Sequence, residues 1–222
     1  MGYLANTFPR ISGAVFTVGM IGNSLMEGLV SATHIPGGSR VRLLNDGIAA
    51  GRLIDTRGGH RTRGSWGTSH DGWGGLRIDE LQAKVAALLA LAPDAYVVAG
   101  GINNLIQDYK PVEATALAQF KVDYVTYVET FLVAEPTKRI VLETLMWQNT
   151  YALGTSVEDF NTWLTGTKVP AWLATYPNIR VADCYTDVAT ANISGNGGDG
   201  VHPGQTGYNQ KGDSEYAALI AP

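Results

Sequence analysis

An apolar run, Val15-Phe16-Thr17-Val18-Gly19-Met20-Ile21, leads straight into Gly22-Asn23-Ser24-Leu25-Met26-Glu27-Gly28. The run is almost continuously apolar and reads as a strand buried on both faces, ended by Gly22. Ser24 then falls at a strand-to-helix turn. There its hydroxyl is exposed at the edge of a sheet, near a helix N-terminus whose dipole favours developing negative charge. Taken alone, such a serine is more commonly a helix cap.

Similar runs recur along the chain. Gly51 to Thr56, with Leu53 and Ile54, is expected to form a second short strand, after a helix near Arg40 to Ile48. Ala95 to Ala99 reads as a third strand, ended by Gly100 and Gly101; Ile140 to Leu145 as a fourth; Ile179 to Ala182 as a fifth. Between them Ile78, Leu81, Val85, Leu88 and Leu89 share one helix face, with Glu80 and Lys84 spaced to pair on the other. Leu117, Phe120, Tyr124, Tyr127, Val128 and Phe131 mark a long second helix. Val157, Phe160 and Leu164 start a third, with a break or a fresh start expected at Gly166 and Pro170. Thr206 is placed to cap a last helix carrying Tyr208, Tyr216, Leu219 and Ile220. Strands alternating with helices predict an α/β fold with a parallel sheet, whose sites lie at the carboxyl ends of the strands. No repeat, low-complexity tract or linker divides the chain, so residues 1–222 read as one domain.

Composition narrows the function. Sixteen basic residues against twenty acidic ones give a net charge of −4, which argues against a general nucleic-acid binder. A hydrophobic fraction of 45% is too high for disorder. Cys184 is the one cysteine, so the chain has no internal disulfide. The longest apolar stretch, Val85 to Ala92, falls far short of the roughly 20 residues a membrane span needs. The start, Met1-Gly2-Tyr3-Leu4-Ala5-Asn6, has no basic segment followed by a hydrophobic one. A cytoplasmic protein and a secreted enzyme without its signal peptide both fit.

Chemistry concentrates in three further segments. Asp199-Gly200-Val201-His202-Pro203-Gly204 sets an aspartate three residues before a histidine, ahead of the last helix. A serine hydroxyl needs a base to take its proton, and the base needs an acceptor that fixes its tautomer. Gly100-Gly101-Ile102-Asn103-Asn104-Leu105 offers an asparagine amide at a strand end. Asp71-Gly72-Trp73-Gly74-Gly75-Leu76 offers bare glycine N–H groups just before a helix. Either suits an oxyanion, though plain turn chemistry accounts for any one glycine.

Together the four segments resemble the SGNH, or GDSL-type, hydrolase superfamily, in order and across nearly the whole chain. Gly22 to Gly28 stands where that family has Gly-Asp-Ser-Leu/Ile-x-x-Gly, which implies Ser24 as nucleophile. The resemblance further implies Asp199 and His202 as the rest of the triad, with Gly75 N–H, Asn103 and the Ser24 N–H forming the oxyanion hole. It implies a three-layer α/β/α fold with a five-stranded parallel sheet of flavodoxin-like order, and no metal or organic cofactor. Asn23 and Asn104 depart from the family, which has aspartate at both places. Asn23 is expected to keep the local hydrogen bonds through its amide oxygen.

Leu53-Ile54-Asp55-Thr56-Arg57 and the Asp71–Asp79 run look like the carbohydrate-esterase branch that includes acetyl xylan esterases. That looser likeness implies short acyl groups on sugars, with a small-molecule or carbohydrate ester as partner. Met26, Trp73, Ile102 and Trp147 are candidates to line the substrate pocket, or are ordinary packing residues. Lipase, lysophospholipase or thioesterase chemistry and a catalytically silent carbohydrate-binding domain are the alternatives.

Other readings fit less well. No serine has the Gly-x-Ser-x-Gly frame of α/β-hydrolases. His34, His60, His70 and His202 lack close zinc-ligand spacing. A flavodoxin-like redox protein would have no need of Asp199, His202 or Asn103. Asn192-Ile193-Ser194 matches the glycosylation pattern.

Overall fold

The structure, a computed structural model, describes residues 15–30, 33–34, 38–61, 69–108, 114–151, 153 and 155–222. The apolar run around Val18 becomes β1 (Phe16–Asn23), which turns directly into the single-turn helix α1 (Ser24–Glu27). A small hairpin, β2 (Leu29–Val30) and β3 (Thr33–His34), precedes α2 (Gly38–Ala49). Then come β4 (Ile54–Arg57), β5 (His60–Arg61), β6 (Ser69–Trp73), α3 (Ile78–Gln82), α4 (Val85–Leu89) and β7 (Ala95–Val98). They are followed by α5 (Ile102–Asp108), α6 (Ala114–Ala134), β8 (Arg139–Glu143), α7 (Ser156–Trp163) and α8 (Val169–Leu173). The chain closes with β9 (Ile179–Ala182), α9 (Cys184–Asp187), α10 (Ala191–Ser194) and α11 (Gln205–Ile220).

β1, largely apolar, is paired along both edges. On one edge Val18–Ile21 pair in parallel with Ala95–Val98 of β7. On the other, Phe16–Gly19 pair with β4 and Ile21–Asn23 with β6, also in parallel. β7 continues to β8 and β8 to β9, all parallel. β4 and β6 thus share one edge of β1, giving five columns in flavodoxin-like order. The expected five-stranded sheet holds as columns; the second column is built from two strands, and β5 adds antiparallel to β6.

Tyr96, Val97, Val98, Val141 and Leu142 of β7 and β8 are fully buried, as a sheet covered on both faces requires. α6 packs with α7 through aromatic rings: Phe120 stacks on Phe160 at 4.5 Å, and Tyr124 meets it edge-on at 4.9 Å.

The third helix changes at Gly166 and Pro170 as expected: α7 gives way to a π-helical segment, Leu164–Lys168, with Val169 N–H bonded to Leu164 O, and α8 starts afresh with Pro170 in its first turn, where no N–H is required. Two local expectations need correction. Thr206 is inside α11; its cap position is Gly204, without a side-chain cap bond. Glu80 does not pair with Lys84: it accepts from Arg77 N–H at the start of α3, while the Lys84 ammonium lies 4.6 Å above the Trp73 ring. Ser69–Trp73, where no strand was expected, form β6.

Candidate active site

The Ser24 turn is held from several sides. Asn23 is extended (φ −91°, ψ −153°), and its Oδ1 accepts from Leu25 N–H at 3.1 Å. Gly28 closes the turn at φ +87°, its N–H bonded to Ser24 O. β6 passes so close that a Cβ on Gly72 would lie 2.4 Å from Glu27 N, so only glycine fits there. Arg40, from α2 and fully buried, donates through its guanidinium to Met26 O, the carbonyl two residues beyond the serine. Burial lowers the Arg40 pKa to about 10, against the opposing pull of Glu215, Tyr208 and Glu27.

The Asp199–His202 segment meets this turn from the far end of the sequence. His202 Nε2 lies 2.8 Å from Ser24 Oγ, and His202 Nδ1 lies 2.9 Å from Asp199 Oδ2. Asp199 Oδ1 accepts from the Val201 and His202 N–H groups at 3.0 and 2.8 Å, and Asp199 N–H donates back to His202 O. The loop is therefore closed upon itself. It is also braced from outside: Gly200 N–H donates to Ile193 O, and Gly200 O accepts from Asn149 N–H. Gly200 adopts φ +91°, and a Cβ there would strike Thr150 Oγ1 at 2.3 Å, so the residue is held to glycine twice over.

The third part is the turn Trp73-Gly74-Gly75-Leu76 at the end of β6. Leu76 N–H donates to Trp73 O, and Gly75 in the third position has φ +79°, the sign of a type II turn. A Cβ on Gly74 would lie 4.0 Å from Ser24 Cβ, so the turn flanks the serine. Asn103 Nδ2 donates to Leu76 O at 2.9 Å, which leaves the second amide hydrogen available. Asn104 Oδ1 accepts from Ile78 N–H at 2.9 Å, and Gln107 Nε2 donates to Gly75 O at 2.6 Å.

Behind the site a buried ionic cluster ties α11, which follows His202, to β8 and α2. Lys211 Nζ lies 2.6 Å from Glu143 Oε1 and also bonds Glu215 Oε1, to which Ser39 Oγ donates. Burial pushes Glu143 up to about 8, against the pull of Lys211 and with repulsion from Glu215 adding to it. The two carboxylates hold the Lys211 ammonium above its ordinary range although burial alone would lower it.

The structure thus brings together Ser24, His202 and Asp199 and sets Gly75 and Asn103 on adjoining elements. The four pocket candidates divide. Met26 and Ile102 are buried in the core; Trp73 and Trp147 are only partly buried against it. Sequence reasoning missed Arg40, Gln107 and the Lys211 cluster, and gave Asn104 no part in fixing the turn. Among the described residues no three His, Cys, Asp or Glu side chains cluster to hold a metal, and no helix is long and apolar enough to cross a membrane.

No family model and no curated protein sequence matches the chain. Solved structures do. A Clostridium thermocellum family 3 carbohydrate esterase superposes with a TM-score of 0.72 at 18% identity, over 93% of this chain and 96% of its own. A lipase/acylhydrolase from Enterococcus faecalis gives 0.68 at 18%, over 92% and 95%. The acetyl xylan esterase AlAXEase gives 0.65 at 16%, over 92% and 100%. The chain has the fold shared by these two esterases and this lipase/acylhydrolase: an α/β fold with a mostly parallel sheet flanked by helices.

Proposed function

We propose that this chain is a serine ester hydrolase acting on short acyl esters, acetyl esters of carbohydrate above all. The observation that carries the reading is the 2.8 Å contact between Ser24 Oγ and His202 Nε2, with Asp199 on the opposite ring nitrogen. His202 takes the Ser24 proton as the hydroxyl attacks the ester carbonyl carbon. Asp199 holds the ring orientation and stabilises the imidazolium. The carbonyl oxygen becomes an oxyanion, met by the N–H groups of Gly75 and Ser24 and the free amide hydrogen of Asn103. Collapse of this intermediate breaks the bond to the alcohol, which leaves with the proton from His202. Water, deprotonated by His202, then attacks the acyl-serine; the acid leaves and Ser24 regains its proton. These side chains complete the cycle without a further group.

The acyl and alcohol preferences rest on a looser footing: the resemblance of the 71–79 run to the carbohydrate-esterase branch, and the names of two structural relatives, a family 3 carbohydrate esterase and an acetyl xylan esterase. Trp73 and Trp147, half-buried, are the candidates for a sugar-facing wall. The test is an ester panel graded by acyl length, beside acetylated xylan, with Ser24→Ala as control. A steep fall beyond about four acyl carbons, each buried methylene being worth about 0.8 kcal/mol, fits a tight acyl site. Preference for long chains moves the assignment to a lipase-type enzyme. Equal turnover by Ser24→Ala ends the reading.

A further inference from the structure

Helix α5 grips the turn beside Ser24 with three amide side chains. Asn103 donates to Leu76 O, Asn104 accepts from Ile78 N–H, and Gln107 donates to Gly75 O. Asn103 and Gln107 are four residues apart, on one face of the helix, and they hold consecutive carbonyls of the turn. The Gln107 contact, at 2.6 Å, is the shortest of the three.

Its target is the residue most in need of restraint. Gly75 has no side chain, adopts φ +79°, and has open space where a Cβ would be. No side chain of its own therefore packs to hold this conformation. The turn's own bond, Leu76 N–H to Trp73 O, closes around Gly75 without engaging its N–H. The Gly75 N–H belongs to the peptide unit before this residue and its carbonyl to the unit after it. Gln107 and the Leu76–Trp73 bond hold that second unit from its two sides. Anchoring the carbonyl thus fixes one end of the hinge about which the N–H turns.

We infer that Gln107 is a positioning residue for the oxyanion site, keeping the Gly75 N–H aimed at the ester's developing charge. The inference rests on the proposed hydrolase reading. Gln107 touches no reacting atom and acts through Gly75 alone. Its side chain is exposed, so replacing it leaves the core intact.

The experiment measures kcat, KM and Tm for wild type, Gln107→Ala and Gln107→Glu on p-nitrophenyl acetate from pH 4 to 8. Gln107→Ala is expected to lower kcat about three- to tenfold, the scale of one hydrogen bond, with KM and Tm nearly unchanged. Gln107→Glu has the same length but cannot donate when ionised. Its activity relative to wild type should climb as pH falls toward about 4, where the carboxyl regains a donor hydrogen. An active wild type with unaltered Gln107→Ala overturns the inference alone. So does a loss in both variants that tracks a fall in Tm and shows no pH dependence of the ratio. A wild type inert toward the ester overturns the hydrolase reading and this inference with it.

Discussion

Lys211 Nζ and Glu143 Oε1 are 2.6 Å apart with both side chains buried, which ties the helix after His202 to strand β8 of the sheet. Removing one member of such a pair strands the other without a partner in a low-dielectric interior. Lys211→Met should therefore destabilise the protein by about 3–5 kcal/mol, read from the urea midpoint. A change within error would mean that the cluster contributes nothing to folding.

Glu143 carries a folded-state pKa raised to about 8, above its ordinary value. A raised pKa means the native state binds the proton more tightly than the unfolded chain does. The stability it contributes is present below the unfolded pKa and is lost as pH rises toward 8. Glu143→Gln removes this titration. Its stability relative to wild type should improve steadily from pH 5 to pH 8 in parallel denaturation series; parallel curves would contradict the assignment.

Asn23 stands where the resembled family has aspartate, and its Oδ1 already performs the cap on Leu25 N–H. Its Nδ2 is buried without a partner among the described residues, and Asn23 and Glu143 both line a small cavity. Aspartate would keep the accepting oxygen and remove the unsatisfied donor, but add a charge near a buried carboxyl. Asn23→Asp is expected to retain kcat/KM within about tenfold, the scale of one hydrogen bond. A collapse of activity in a folded variant would show that the amide itself is needed.

Asn103 has one amide hydrogen on Leu76 O, and the proposed mechanism uses the other. Asn103→Ala should lower kcat by roughly a hundredfold or more, the usual effect of losing an oxyanion donor. Steady-state turnover of an acetyl ester measures it. An unchanged rate would remove Asn103 from the mechanism.

Much of this was legible in the sequence because it follows from hydrophobic periodicity and local spacing. The parallel strands were apolar runs, and Asp199 and His202 close their own loop across three residues. What stayed hidden is polar. β6 carries Ser69-His70-Asp71-Gly72, with His70 and Asp71 buried, so no apolar pattern marks it. Lys211 and Glu215, four apart on a helix, have the spacing of a solvated surface pair, yet both are fully buried. Gln107 looks like any exposed helix residue until the turn opposite is placed. Thr206 has the right side chain for a cap, but the helix begins a residue earlier, at Gln205.

The most direct measurement is intact-mass analysis after exposure to a serine-directed organophosphonate, with the adduct mapped by peptide sequencing. One covalent adduct per chain on Ser24, absent in Ser24→Ala and formed far more slowly in His202→Ala, is the expected result. Persistent failure of the folded protein to react, or an adduct on any other residue, would contradict the account.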